Sequence, residues 1–399
     1  MVIIIPMFDD VVLLIALSLI VIFSPFIAKL IKMPTTPIEI ILGAVFAYVG
    51  FLHHHYLFEL VAEVGFLYLM FIAGTEVDLK KVLRTNSALM KRILIYLVLL
   101  YLFSIGFTLY FDLGKIFIVL LPLISVGLVV TLSKEYGKTP WLTLGMTAGG
   151  IGEVISIAAL TLTATALQAG FGLEFLKSMG ALVLFIFIIY LLFRALQLLF
   201  WWFPEVGTAL MPHEDTQEQD LRLSIGILFI LIAVMLYLHL ELAFGAFIAG
   251  IFIPTFFTHK QDLPHRLASY GFGFLIPVFF IYIGSTFNLE SLLMEGLVTT
   301  ALLITAAMIA MRVASALVFK NILGYRSAIL LGLSHSMPLT LLIAVATIAY
   351  HSSSIDKLHY FAFILAALFQ VIIVTLLIKL IHKEPQPDSL PKAFNQQKS

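Results

Sequence analysis

The stretch TAGGIGEVISIAAL, residues 147–160, carries a single acid, Glu153, midway along a run of apolar and small residues long enough to cross a bilayer. An ionised side chain at the bilayer centre costs roughly 2.5–3.5 kcal/mol on insertion scales, so it needs a partner, a cavity or a lost charge. Gly149, Gly150 and Gly152 flank the acid and leave room for close backbone approach or for an ion. A membrane carboxyl whose proton affinity is raised by burial titrates near neutral pH, where protons and small cations compete for it. A site loaded with either one proton or one monovalent cation moves the same net charge in both forms, which predicts exchange of one for one. Arg312, in MIAMRVASALVF, is the second clear charge inside a span. Its guanidinium keeps its proton, so it reads as a structural or electrostatic group and favours an electroneutral cycle. The competing reading of Glu153 is a buried ion pair with Arg312.

The remaining acids have plainer readings. Glu39 in TTPIEI fits a capping box with Thr36 as N-cap and Pro37 at the first helical position. Glu59 falls in a first turn, where it complements the helix dipole. Glu76 and Asp78, beside Lys80 and Lys81, read as an interfacial charge cluster with Glu76 as an accessory candidate, and Glu63 is deeper and ambiguous. His335 reads as a hydrogen-bonded packing histidine with a proton relay as the alternative. Three adjacent histidines, His53 to His55, are poorly spaced for a metal. Cysteine is absent, which removes disulfides and thiolate chemistry. No paired aspartates, metal triad or serine with a base in helical register suggests an enzyme.

The elements that must hold these residues follow from composition. Of 399 residues, 61% are hydrophobic and 12% charged, with a mean hydropathy of +1.09, and the net charge is zero. This is an integral membrane protein with nothing to attract nucleic acid. Apolar runs predict thirteen helices near 9–32, 36–51, 56–77, 89–110, 114–133, 140–167, 174–202, 222–239, 241–257, 269–287, 294–320, 326–350 and 358–382. With the amino terminus outside, most of the 23 basic residues fall on the inner side, and only Lys115, Lys177 and Lys357 fall outside. The hydrophilic break around HEDTQEQD divides the chain into a first half (1–203), a cytoplasmic loop (204–221), a second half (222–382) and a short cytoplasmic tail (383–399).

Across that break the sequence echoes itself. LGAVFA at 42–47 is like FGAFIA at 244–249, and FIAGTEVDL at 71–79 is like IYIGSTFNL at 281–289. An odd number of spans separates the copies, so they insert in opposite directions, the arrangement of many secondary transporters. Two spans carry interruptions: PLISVGLVVTLSKEYG has Pro122 and Gly127, and LLGLSHSMPLTLLIAV has Gly332 and Pro338. Proline removes a backbone donor, and one such helix in each half predicts two unwound segments facing a cavity.

At these residues the chain resembles the cation:proton antiporter superfamily, its second branch above all, from helix 1 to helix 13. FIAGTEVDLKKVLR is similar to that family's Gly-Leu-Glu-Leu-Asp segment, and ISVGLVVTLSKEYG to its broken fifth helix. GGIGEVISI resembles the paired-acid motif of helix 6, with Gly152 where the first Asp or Asn usually stands and Glu153 at the essential Asp. Arg312 matches the basic position of helix 11. Pro338 stands where many relatives carry an acid that pairs with that base, and Gly149 where some supply a hydroxyl. The resemblance implies an all-α polytopic membrane fold in inverted-topology repeats with two crossed discontinuous helices, a six-helix mobile core, a dimerisation domain and elevator-like exchange. It implies a bacterial inner membrane and a homodimer. Glu153, with Ser125, Thr131 and Ser156 as candidate oxygen ligands, would bind a transported alkali cation, sodium first, or a proton. No cofactor, resident metal or nucleic acid is expected, only lipid and the exchanged ions. Potassium/proton exchange or efflux is the alternative within transport. A non-transporting scaffold or sensor with a structural Glu153–Arg312 pair is the alternative of another class.

Overall fold

In a bilayer every backbone N–H and C=O must be satisfied inside the chain, and the apolar runs meet that demand as helices. The computed structural model describes residues 8–31, 34–53, 55–77, 86–137, 139–169, 173–203, 205, 218–240, 242–257, 260, 262–287 and 294–382, and among these there is no strand. Asp78, Lys80, Lys81, Arg84, His54, nearly all of the hydrophilic break and the tail lie outside the described residues.

The helices are α1 (Phe8–Ile31), α2 (Thr35–Tyr48), α3 (Tyr56–Thr75), α4 (Ser87–Tyr110), α5 (Phe117–Leu120), α6 (Gly127–Tyr136), α7 (Pro140–Ala169) and α8 (Leu173–Trp202). They continue as α9 (Gln219–Tyr237), α10 (Leu242–Phe256), α11 (Leu263–Tyr270), α12 (Ile276–Thr286), α13 (Leu297–Ala316), α14 (Lys320–Ser334), α15 (Leu339–His351) and α16 (Lys357–Ile381). Each of the thirteen expected spans falls on one helix or a broken pair. The fifth is α5 and α6 with residues 121–126 between them, and the twelfth is α14 and α15 with a break over 335–338. The tenth starts earlier than expected, because α11 runs through a π-helical turn, Gly271–Leu275, into α12. Among the described residues nine helical stretches are long and apolar enough to cross a membrane, one of them the 38-residue run Leu297–Ser334. That run turns at Gly324, whose φ of 77° suits a residue without a Cβ.

The chain divides into two compact units. The first comprises Met1–Leu83, Ile157–Thr300 and Ala344–Ala362, and the second Arg84–Ser156, Ala301–Ile343 and Phe363–Ser399. Within the first unit the internal echo becomes a packing rule. A Cβ on Gly43 of α2 would overlap the carbonyl of Ile281 on α12, and one on Gly284 of α12 would overlap that of Ile40 on α2. Gly74 of α3 meets the carbonyl of Phe247 on α10 in the same way, and Gly250 of α10 meets that of Phe71 on α3. Four tetrapeptides, starting at Ile40, Phe71, Phe247 and Ile281, each present a carbonyl at the first position and a glycine at the fourth. They pair reciprocally, α2 with α12 and α3 with α10. Close approach through small residues is how membrane helices associate where no hydrophobic drive remains. The equivalence of Gly43 with Gly250 shifts the register of the first echo: LGAVFA aligns with residues about one and a half turns beyond FGAFIA.

Glu39 corrects an expectation. Helix α2 begins at Thr35 after an extended Pro34, with no side-chain cap. Glu39 is instead buried, and Ser24 of α1 donates to its Oε1 at 3.5 Å. Rotating the acid toward α1 places it on the packed side of α2, away from the helix end. Glu59 does sit in the first turn of α3, whose N-cap is His55.

Gly74→Val is expected to lower thermal stability in detergent by about 3 kcal/mol, the upper part of the range for overpacking, because the obstacle is backbone. Gly106→Val on α4, where an added Cβ meets nothing within 4 Å, should change little.

Candidate functional site

The second unit contains the first broken helix, and its geometry starts with Pro122. Without an N–H, Pro122 leaves the Ile118 carbonyl unserved, and the Ser104 hydroxyl of α4 donates to it at 3.1 Å. Helix α5 stops there, and the chain runs irregularly to Gly127, where α6 starts. Free donors at the start of α6 face α7. Val126 N–H donates to Glu153 Oε2 at 3.1 Å, the Ser125 hydroxyl donates to Glu153 Oε1 at 3.1 Å, and Ile124 N–H donates to Ser156 Oγ at 3.2 Å. A carboxylate at a helix N-terminus also complements the helix dipole. Glu153 and Ser156, each 1% exposed, share one face of α7 at the i, i+3 spacing.

The freed carbonyls of the same break meet the opposite charge. Arg312 of α13, fully buried, gives its NH2 group to the Leu123 carbonyl and its NH1 group to Met308 O at 2.9 Å within its own helix. Gly332 of α14 lets that helix approach, since a Cβ there would stand 2.8 Å from Val313 Cα and 2.9 Å from Arg312 O. The two charges that the sequence singled out therefore both hold one unwound stretch, the acid on an amide and a hydroxyl and the base on a carbonyl. Among the described residues both hydrogen-bond partners of the guanidinium are backbone, and its Nε has none.

The second break, at 335–338, is held from within and from the side. The hydroxyls of Ser334 and Ser336 donate to Leu331 O and Gly332 O at 2.8 Å each, so they serve carbonyls of their own helix end. His335, also fully buried, joins three helices. Its Nε2 lies 2.8 Å from Gly145 O of α7 and its Nδ1 2.9 Å from the Tyr96 hydroxyl of α4. A carbonyl only accepts, so Nε2 carries the proton, and Nδ1 of the neutral ring accepts from Tyr96. Gly149 provides the space, because a Cβ there would lie 3.1 Å from His335 Nε2. Gly152 is filled too: a Cβ there would be 2.7 Å from Ile124 Cδ1. Of the three glycines beside Glu153, Gly150 alone is a place where an added methyl would meet no described atom within 4 Å.

Of the residues expected from sequence, Glu153, Ser125, Ser156, Arg312, His335, Pro122, Gly127 and Pro338 fall in this unit. The side chain of Thr131, on α6, lies outside the described residues. Glu76 is the C-cap residue of α3 in the first unit. Ser104, Tyr96 and Ile124 went unremarked in the sequence. Nothing local marks them, since each matters only through a neighbour far along the chain. Among the described residues no cluster of three or more His, Asp or Glu could hold a metal ion.

Two broken helices in a polytopic membrane protein, with a buried carboxylate on the backbone of one of them, are features of secondary-transporter folds. Residues 15–384 match the family described as "Sodium/hydrogen exchanger, transmembrane", and the chain is a member of it. It is 24% identical over 385 residues to "Putative Na(+)/H(+) antiporter YjbQ" of Bacillus subtilis (strain 168), covering 90% of this chain. The chain spans 61% of that relative's length. It is 27% identical over 289 residues to "Probable Na(+)/H(+) antiporter 3" of Methanocaldococcus jannaschii, covering 67% of this chain and 70% of that one. The solved structure of the sodium proton antiporter MjNhaP1 from Methanocaldococcus jannaschii at pH 8 shares the fold, with a TM-score of 0.64 at 16% identity over 92% of this chain and 99% of that one.

Arg312→Met should cost about 2–3 kcal/mol of stability, measured by thermal unfolding in detergent, because a buried carbonyl loses a charged donor. His335→Phe should cost about 2 kcal/mol, since Tyr96 and Gly145 lose hydrogen bonds worth about 1 kcal/mol each.

Proposed function

We propose that this protein exchanges a monovalent cation, sodium first, for protons, one for one, at Glu153. The observation that carries the reading is the carboxylate lying on Ser125 and Val126 at the start of α6, with Ser156 beside it. An alkali cation prefers hard oxygen ligands, and here a carboxylate and two hydroxyls stand together next to an unwound backbone. A proton on Glu153 removes the charge that would hold the cation, so the two cargoes exclude each other. Arg312 stays charged throughout and neutralises the unwound stretch without entering the count of moved protons. In this reading Ser125 and Val126 also position the empty carboxylate, so that it does not rearrange between loads.

Glu153 is 1% exposed, so loading and release require the site to open first to one side and then to the other. Alternating access by motion of one bundle against another, as in other inverted-repeat transporters, serves that need. The reading also takes the protein as a homodimer of a bacterial inner membrane with its amino terminus outside. The concentration of basic residues in the loops on the opposite side supports that orientation.

Two experiments in proteoliposomes test the reading. Wild-type protein should collapse an imposed pH gradient on addition of sodium, more weakly with lithium or potassium, while Glu153→Gln, folded to the same yield, should not; full activity of the variant would refute the site. On a solid-supported membrane, a sodium jump should give no steady charge displacement, and a transport current would rule out exchange of one for one.

A further inference from the structure

The oxygens that the sequence suggested for the cation all come from residues 121–126, α6 and α7. Helix α4 adds another. The Tyr101 hydroxyl is enclosed and, among the described residues, makes no well-formed hydrogen bond; the polar side chain within its loose reach is Ser156. Ser156 already accepts from Ile124 N–H and sits one turn beyond Glu153. One turn before Glu153, on the same face of α7, lies Gly150, where an added methyl would touch nothing. The phenol thus stands beside Ser156, one turn from the acid, and the space at Gly150 lies on the acid's other flank.

Burying a hydroxyl without a partner is unfavourable, and a packed interior seldom retains one without a use. Phenylalanine would fill the same volume against α7 without that penalty. A phenol oxygen offers one donor and two acceptor lone pairs, and Ser156 Oγ has a lone pair left after accepting from Ile124. Tyr101 can therefore donate to Ser156 and turn a lone pair toward an ion on Glu153.

We propose that Tyr101 supplies an oxygen to the cation bound at Glu153 and sets the preference for small alkali cations. The inference rests on the exchange reading above. With Tyr101 the shell gathers Glu153, Ser125, Ser156 and the phenol from three separate segments, α4, residues 121–126 and α7. Cavity size and ligand number decide between cations of one charge, and an oxygen fixed by helix packing favours the ion small enough to touch the whole shell at once. Losing it weakens sodium and lithium more than potassium, which reaches fewer of the ligands at optimal distance in any case.

The test compares wild type, Tyr101→Phe, Ser156→Ala and the double variant by cation-driven proton flux in proteoliposomes with sodium, lithium and potassium. The same proteins are followed by the rise in Tm that each chloride salt induces in detergent. Tyr101→Phe should raise the apparent KM for sodium about tenfold, the loss of about 1.4 kcal/mol of binding, with maximal rate within about twofold of wild type. The sodium-to-potassium ratio should fall, and the double variant should lose less than the product of the single effects, because the two hydroxyls act together. An unchanged KM and ratio in Tyr101→Phe would overturn the assignment, as would a lower Tm and rate with the ratio intact. If wild type carries no cation, the exchange reading fails. The Tm measurement then decides the inference alone: a sodium-induced rise that Tyr101→Phe abolishes keeps it, and one it leaves intact, or no rise in either, rejects it. Should the phenylalanine variant not fold, Tyr101→Leu takes its place in every arm.

Discussion

A helix that breaks in the middle of a bilayer releases amides and carbonyls that water cannot reach, and everything around residues 121–126 answers that constraint. Pro122 starts the problem by withholding a donor. Ser104 repairs the carbonyl behind it, Glu153 and Ser156 receive the amides ahead of it, and Arg312 covers the Leu123 carbonyl between them. The membrane tolerates an acid and a base here because both complete a backbone. Their charges have opposite sign and act on opposite poles of the same stretch.

The second break obeys the same constraint with neutral groups. Serine hydroxyls fold back onto their own helix end, and one imidazole reaches two further helices. The interrupted segments thus differ in kind. One is held by a carboxyl, a guanidinium and hydroxyls, the other by serine hydroxyls and an imidazole packed between helices. Gly149 belongs to the second arrangement although it sits four residues from Glu153, which explains why a hydroxyl would not fit there: the imidazole fills the place. Gly152 is occupied for a comparable reason. Ile124 covers it, so a second acid beside Glu153 would have to displace a core side chain.

Much of this was legible in the chain. The spans follow from apolar runs, the breaks from Pro122 and Pro338, and the need of Glu153 and Arg312 for polar partners from the cost of charge in hydrocarbon. What escaped depends on distance along the sequence. Ser104 and Tyr96 look like ordinary polar residues of an apolar helix until the fold sets them against Ile118 O and His335. Glu39 carried a convincing local signature, Thr-x-x-Glu, yet a neighbouring helix offered the acid Ser24 and the capping role lapsed. The echo between the halves was visible, but string similarity misplaced it by more than a turn, because what the copies preserve is a carbonyl and a glycine three residues apart, a spacing that identity of letters does not weigh.

That spacing has a consequence for how such a molecule can arise. Ile40–Gly43 packs on Ile281–Gly284 and Phe71–Gly74 on Phe247–Gly250, so each motif of one copy fits the equivalent of the other motif in the second copy. A single ancestral half, inserted in both orientations, would already have been its own mate, and joining two of them end to end would have locked in a symmetry that the surfaces possessed beforehand.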